Sequence, residues 1–428
     1  MFDLIIEDAT IISSGGRQVA DIALKRGRIA YIGPRPMGRT KERVNAIGRF
    51  VMPGIIDTHV RFTAAQGAET SPWISESRAA VTGGVTTVVE EARVKNGKAL
   101  AALRKRARKE SRCNFGFWAP AGTVDENQKM LDAGAVGLSI ALDGSGRADI
   151  SDAGLRELFR SFKAPLGFHV EERGVLAERL EVLGAAAALN ALRPPGAAAA
   201  GIERLIALVR EFDRPAHVFQ LSTAHELQLM DPLGGELPIT SAVSPSHLAL
   251  SVDENGDLGS LLHSAPPIRT ETDRRSLWTA LKRNRIDSIA SAHTPHTRAS
   301  KQQTRAALPF GLPGVETTFS VMLSAVQNGR ISLERMVNLL SEAPARILGL
   351  KNKGRLETGC DADLVLFSES DVTRLSEHSL LTNAGWSPFS GRELAPKPEL
   401  VILGGRIVAR SGELVADDIR GTELKRGA

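Results

Sequence analysis

Cysteine is nearly absent: Cys113 and Cys360 are the only two in 428 residues, and they lie far apart. Such a pair excludes a disulfide scaffold and a cysteine zinc site, and it fits a reducing, cytoplasmic setting. Tyrosine occurs once, and aromatics make up 4% of the chain. No basic segment is interleaved with aromatics, so stacking on bases has no support and no nucleic-acid partner is expected. No uncharged apolar run is long enough to cross a bilayer, so no membrane association is expected. The first residues, "MFDLIIEDATIISSGG", hold a short apolar run with acids before and after it, unlike a signal peptide.

What is present is an ordinary globular composition, 42% hydrophobic and 24% charged, enough for one large domain and a smaller one. The net charge of +5 reads as a mixed, solvated surface. The run "LRKRARKESR" (103–112) reads as an exposed helix face or a contact surface for an acidic partner. Residues 1–52 have the β-branched, glycine-punctuated texture of short strands, and "GCDADLVLF" (359–367) and "LVILGGRIVARSGEL" repeat it. The middle alternates apolar strands with helical stretches. The strands are "TTVVEEA", "AVGLSIAL", "PLGFHVE", "PAHVFQLS" and "IDSIASAH"; the helices include 75–84, 152–162 and 274–284. The alanine-rich segment 183–201 predicts a helix, a Pro-Pro turn and the start of another helix. That alternation predicts an α/β fold, a (β/α)8 TIM barrel over 53–351, flanked by a small composite β-sandwich from 1–52 and 352–428. In such a barrel, chemistry sits at the C-terminal ends of the strands.

One of those ends is "GIIDTHVRF", where His59 is followed two residues later by Arg61. From "VMPGIIDTHVRF" onward the chain resembles the cyclic amidohydrolases: dihydroorotase, hydantoinase and allantoinase. "SRAAVTGGVTTVV", "HSAPPIRTETDRRSLWTAL", "IDSIASAHTPHT", "PARILGLKNKGRLETGCDADLVLF" and "GWSPFSGREL" carry the resemblance nearly end to end. "AGAVGLS", "APPIRT" and "SPFSGREL" resemble the dihydroorotase branch most. The resemblance implies one or two zinc ions that activate a water and polarise the amide carbonyl. It also implies the ligands: two first-strand histidines, a bridging carboxylate or carboxylated lysine, two further histidines, and an aspartate that moves the proton.

Of these positions, His59 and His169 are retained. The second member of the first-strand pair is Arg61, which has no lone pair to give and puts a positive charge where the cation belongs. The bridging position is Ser139, and Asp143, a little further on, fits the turn "DGSG". A later histidine position is Gln220; His217, three residues earlier, faces the other side of its strand and reads as structural. The aspartate position is Ala292, which neither binds metal nor carries a proton; His293 and His296 beside it read as loop-packing remnants. The arginine that would hold a substrate carboxylate is replaced by Thr63, and "VVEEARV" lacks the asparagine expected after the second strand.

These replacements lead to the expectation of a dihydroorotase-like pseudoenzyme, a structural or regulatory partner, by analogy with chains that assemble with aspartate transcarbamoylase in pyrimidine biosynthesis. No cofactor is expected, or zinc if the metal site persists in altered form. A homo-oligomer is expected. The alternatives are a divergent cyclic amide hydrolase with an altered or metal-poor site, and a small-molecule sensor using the old pocket. The pocket candidates are Arg61, Thr63, Asp143, Glu171 and His293. In an enzyme of changed mechanism, Glu90, Glu91 and Glu172 would join Asp143 and Glu171 in a metal-free pocket where Arg61 binds an anionic substrate, and a carboxylate beside that arginine would form an ion pair.

Overall fold

A computed structural model describes residues 1–64, 71–146, 150–233, 235–254, 256–304, 307–369 and 372–425. Eight parallel strands lie side by side in chain order. They are β1 (Ile55–Val60), β2 (Val85–Glu91), β3 (Asn114–Pro120), β4 (Gly137–Ala141), β5 (Leu166–His169), β6 (Ala216–Val218), β7 (Ile239–Val243) and β8 (Ser288–Ile289). Nearly every residue of β1, β2 and β3 is buried, as strands covered on both faces must be. The ring closes just beyond β1 and β8, where Val60 bridges His293 and the Arg61 N–H donates to the His293 carbonyl at 2.8 Å. The motif that raised the functional question therefore also closes the barrel.

Two strands carry weak sequence signals. β3, "NFGFWAP", mixes aromatics with glycine and proline, and β7, "ITSAV", is short and part polar. Their strand character comes from pairing with neighbours, not from composition. The three helical stretches named from the sequence appear as Pro72–Thr82, Asp152–Ser161 and Glu271–Lys282. The last starts at a reciprocal cap between Thr270 and Asp273.

Strands from both chain ends form a separate nine-stranded sheet. The ends meet where Leu364–Phe367 pairs antiparallel with Phe50–Pro53, Val365 opposite Met52. Ile6, Ile11, Ile22, Leu364, Leu366 and Ile402 share its core. The basic run 103–112 is only partly a solvated face. Arg104 and Arg108 pair with Glu423, and Arg112 reaches Asp417 at 2.6 Å, so the run anchors the C-terminal segment to the barrel. Among the described residues, no helix is long and apolar enough to cross a membrane.

The helix Pro195–Phe212 packs hard on the barrel just beyond β5. A Cβ on Gly201 would lie 1.4 Å from the Val170 carbonyl oxygen, far inside contact distance. Gly201→Ala is expected to destabilise the fold by about 3 kcal/mol, the upper end for overpacking, because the obstacle is backbone. Urea unfolding of the purified variant measures this.

Candidate functional site

The C-terminal ends of the strands deliver the side chains. His59 and Arg61 come from the end of β1, two residues apart, and both line the cavity at the barrel mouth. Glu91 is the last residue of β2, and His169 is the last of β5. Gln220 follows β6, Ser244 and His247 follow β7, and Ser291 and Ala292 follow β8.

Glu91 Oε2 is the hub. It accepts from Arg61 Nε at 2.6 Å and from His59 Nε2 at 3.0 Å, and it lies 3.4 Å from His169 Nε2. The other end of the guanidinium meets His169 Nε2. Burial pulls the His59 pKa down to about 4, so that ring is neutral near pH 7. Burial alone would raise Glu91, but the Arg61 charge and then His169 outweigh it and hold the carboxyl well below its ordinary range. The site is thus one carboxylate and one guanidinium flanked by two imidazoles. Beneath it, Phe219 stacks on His59 at 4.5 Å between ring centres and meets His169 and Trp118 edge-on. Gly167 leaves room for that ring: a Cβ there would fall 2.1 Å from Phe219 Cζ.

Two more acids brace the mouth without entering it. Asp57 Oδ1 accepts the N–H groups of His59 (3.2 Å) and Ser291 (3.1 Å), tying β1 to the end of β8. Burial raises its pKa to about 6. Glu90 accepts from the N–H groups of Phe62 (2.7 Å) and Thr63 (3.0 Å) and from the Thr63 hydroxyl. Burial nevertheless raises its pKa to about 7, outweighing those donors.

The expected grouping of Thr63, Asp143, Glu171 and His293 with Arg61 in one pocket does not hold. Arg61 alone of the five lines the cavity, and each of the others has a partner elsewhere. Thr63 is bound to Glu90. Asp143 sits in its turn, accepting from Ser145 N–H, and pairs with Arg193 at 2.7 Å. Glu171 pairs with the same arginine at 2.6 Å and faces Arg269 at 3.4 Å. His293 Nε2 meets Glu76 at 3.0 Å, while its Nδ1 accepts from the Gly314 N–H. Glu172 is drawn off to Arg204 at 3.0 Å. Ser139 is buried on β4, opposite Gly167. Gln220 donates to His247 Nδ1 at 3.0 Å, and His247 Nε2 lies 3.0 Å from the Pro267 carbonyl. His217 is bonded to Thr240 at 2.9 Å and buried, and His296 is buried too.

Glu91 is the carboxylate beside Arg61 that the sequence suggested without choosing it from the acids nearby. The usable signal is its place at the end of the apolar run "TTVVEE", level with the ends of the other strands. Phe219 and His247 carry no such signal.

His59, Glu91 and His169 offer three ligand atoms within 4.8 Å of one another. A zinc site of three protein ligands would need the lone pairs of both rings and of the carboxylate. Here His59 Nε2 donates to Glu91, His169 Nε2 accepts from Arg61, and the positive charge among them is the guanidinium. With Arg61 in this position the residues do not fit a metal ion. The cavity is also small, about 20 Å³. That admits roughly one water, whereas ligand pockets run to hundreds of Å³.

Residues 50–408 match the amidohydrolase family. The chain belongs to that family. It is 32% identical over 418 residues to a dihydroorotase of Halobacterium salinarum, covering 94% of this chain and 96% of that one. It is 28% identical over 442 residues to an L-hydantoinase of Paenarthrobacter aurescens, covering 97% and 96%. The solved L-hydantoinase (dihydropyrimidinase) of Arthrobacter aurescens superposes with a TM-score of 0.92 at 26% identity, covering both chains completely. The relatives are thus named for the hydrolysis of cyclic amides, and family members typically bind zinc. The fold is shared throughout; the occupant of the mouth is where this chain's own residues matter.

Replacing Arg61 by Met leaves Glu91 enclosed with no cation. This is expected to lower unfolding stability by about 3 kcal/mol, the size typical of a broken buried pair. Arg61→Lys keeps the charge but loses the fork that reaches both Glu91 and His169, so an intermediate loss is expected. Urea denaturation of the three proteins at pH 7 ranks them.

Proposed function

We propose that this amidohydrolase-family chain is a dihydroorotase-like protein without hydrolase activity that serves as a structural or regulatory partner. The observation that carries this reading is the Arg61 guanidinium held by Glu91 and His169 inside the ligand group. A fixed monocation there competes with any metal, and without the metal no activated water forms. Ala292 supports the same reading, because its methyl group lines the cavity where the resemblance places a proton-carrying aspartate. Loss of such a shuttle costs about 10² to 10⁴ in rate by itself.

A second reading, a divergent cyclic amide hydrolase, is favoured by the convergence of His59, Glu91 and His169. It requires Arg61 to leave the site. A sensor that encloses a pyrimidine-like ring at the mouth is opposed by the 20 Å³ of space.

Metal analysis and turnover separate the first two readings. The purified protein is expected to hold well below one zinc per chain and to leave dihydroorotate and hydantoin unhydrolysed. The variant Arg61→His, which supplies a lone pair in place of the guanidinium, is expected to gain zinc near one per chain. Near-stoichiometric zinc in the unmodified protein together with turnover would sink the non-catalytic reading. For the partner role, aspartate transcarbamoylase from the source cell is the expected companion, tested by co-purification. Independent migration of the two proteins at micromolar concentration counts against that assignment.

A further inference from the structure

At the opposite end of the barrel from Arg61, a cleft of about 820 Å³ opens between the start of β3 and the chain-end sheet. Its walls come from the turn at Arg26 and Gly27, the loop Leu350–Lys353, the turn at Gly404, and residues 418–425 of the C-terminal segment. Seven Lys and Arg residues and four Asp and Glu residues line it.

The acids are already committed. Asp361 and Asp363 hold the buried Lys353 ammonium at 2.8 and 2.6 Å, and Asp361 also takes Arg28 at 2.6 Å. Asp418 takes Arg406 at 3.1 Å. Glu423 is turned outward to Arg104 and Arg108, which do not line the cleft. What remains is cationic. Among the described residues, the side chains of Arg26, Lys351 and Lys425 have no hydrogen bond or ion pair, and Arg420 donates only to main-chain carbonyls. Arg26 also lines the neighbouring cleft of about 720 Å³, where Lys41 is matched by Asp3 and Arg410 by Glu42.

Four positive charges from three chain segments therefore face one concavity, and none of them is paired with an acid. A cleft focuses such a field, and its volume suits a ligand of drug-like size. A single carboxylate or monophosphate would satisfy one or two of these cations. A triphosphate, with about four negative charges near pH 7, would match all of them. We propose that this cleft binds a polyphosphate, either free or carried on a small organic molecule. The site is independent of the barrel mouth and of any activity there.

Calorimetric titration of the full chain at low salt tests this, with inorganic tripolyphosphate and ATP as separate probes and orthophosphate as the control. Saturable one-to-one binding of tripolyphosphate is expected, weakening as salt rises because the cations are exposed. Tighter binding of ATP than of tripolyphosphate assigns an organic carrier, and equal binding assigns the free ion; either supports the proposal. The double variant Lys351→Glu with Lys425→Glu removes no bond of the fold, so its melting temperature should match the parent. It should bind about tenfold or more weakly, having reversed two of the four charges. Absence of saturable binding, or a folded double variant that binds as tightly as the parent, overturns the proposal.

Discussion

The ion pair between Arg61 and Glu91 sets the character of the barrel mouth. Three side chains from β1, β2 and β5 converge there with their polar atoms inward. Such a cluster needs a positive charge at its centre, since a buried carboxylate without one is costly. The guanidinium supplies that charge from within the chain. Its planar fork reaches Glu91 with Nε and His169 with a terminal nitrogen, so one side chain fixes the relation of three strands. Glu91 is the carboxylate that the guanidinium touches, at 2.6 Å. The other acids at the mouth, Asp57 and Glu90, have pKa values raised by burial to about 6 and about 7.

The backbone around the site is held firmly at the end of β8. Ala292 has a φ of +52°, a left-handed conformation that alanine disfavours and that aspartate tolerates better. Immediately after it, His293 closes the barrel against Val60 and Arg61 and is held from the other side by Glu76 and the Gly314 N–H. Thr382 and Asn383, from the far end of the chain, bind Glu76 in turn. The strained residue is therefore pinned by its neighbours.

The fold was legible because it is written in local pattern: apolar runs at strand period, helices between them, and two β-rich ends. The place of Arg61 was legible too, because strand geometry says which residues face one way, and Arg61 stands two places from His59, lining the same cavity. The pairings were harder to read. Asp143 and Glu171 looked like pocket acids, yet both are claimed by Arg193, a residue of the alanine-rich segment that carries no functional pattern. Arg112 reaches Asp417, 305 residues away. Long arginine side chains choose partners by distance in the folded chain, and no spacing in the sequence encodes that choice. β3 and β7 escaped notice for a related reason, since their neighbours and not their composition make them strands.

An ion pair is not the only plug that would close such a mouth. Apolar side chains of similar volume would serve stability as well, because desolvation offsets much of what a buried pair gains. What the polar arrangement adds is direction. His59 must lie flat on Phe219 while its Nε2 meets Glu91; His169 must turn its Nε2 to the guanidinium; Glu91 must present one oxygen to both. Each requirement fixes a rotamer, and together they fix how the ends of β1, β2 and β5 approach. A closure of that kind leaves about 20 Å³ of space at the mouth. It also gives the rest of the molecule a rigid frame at this end of the barrel.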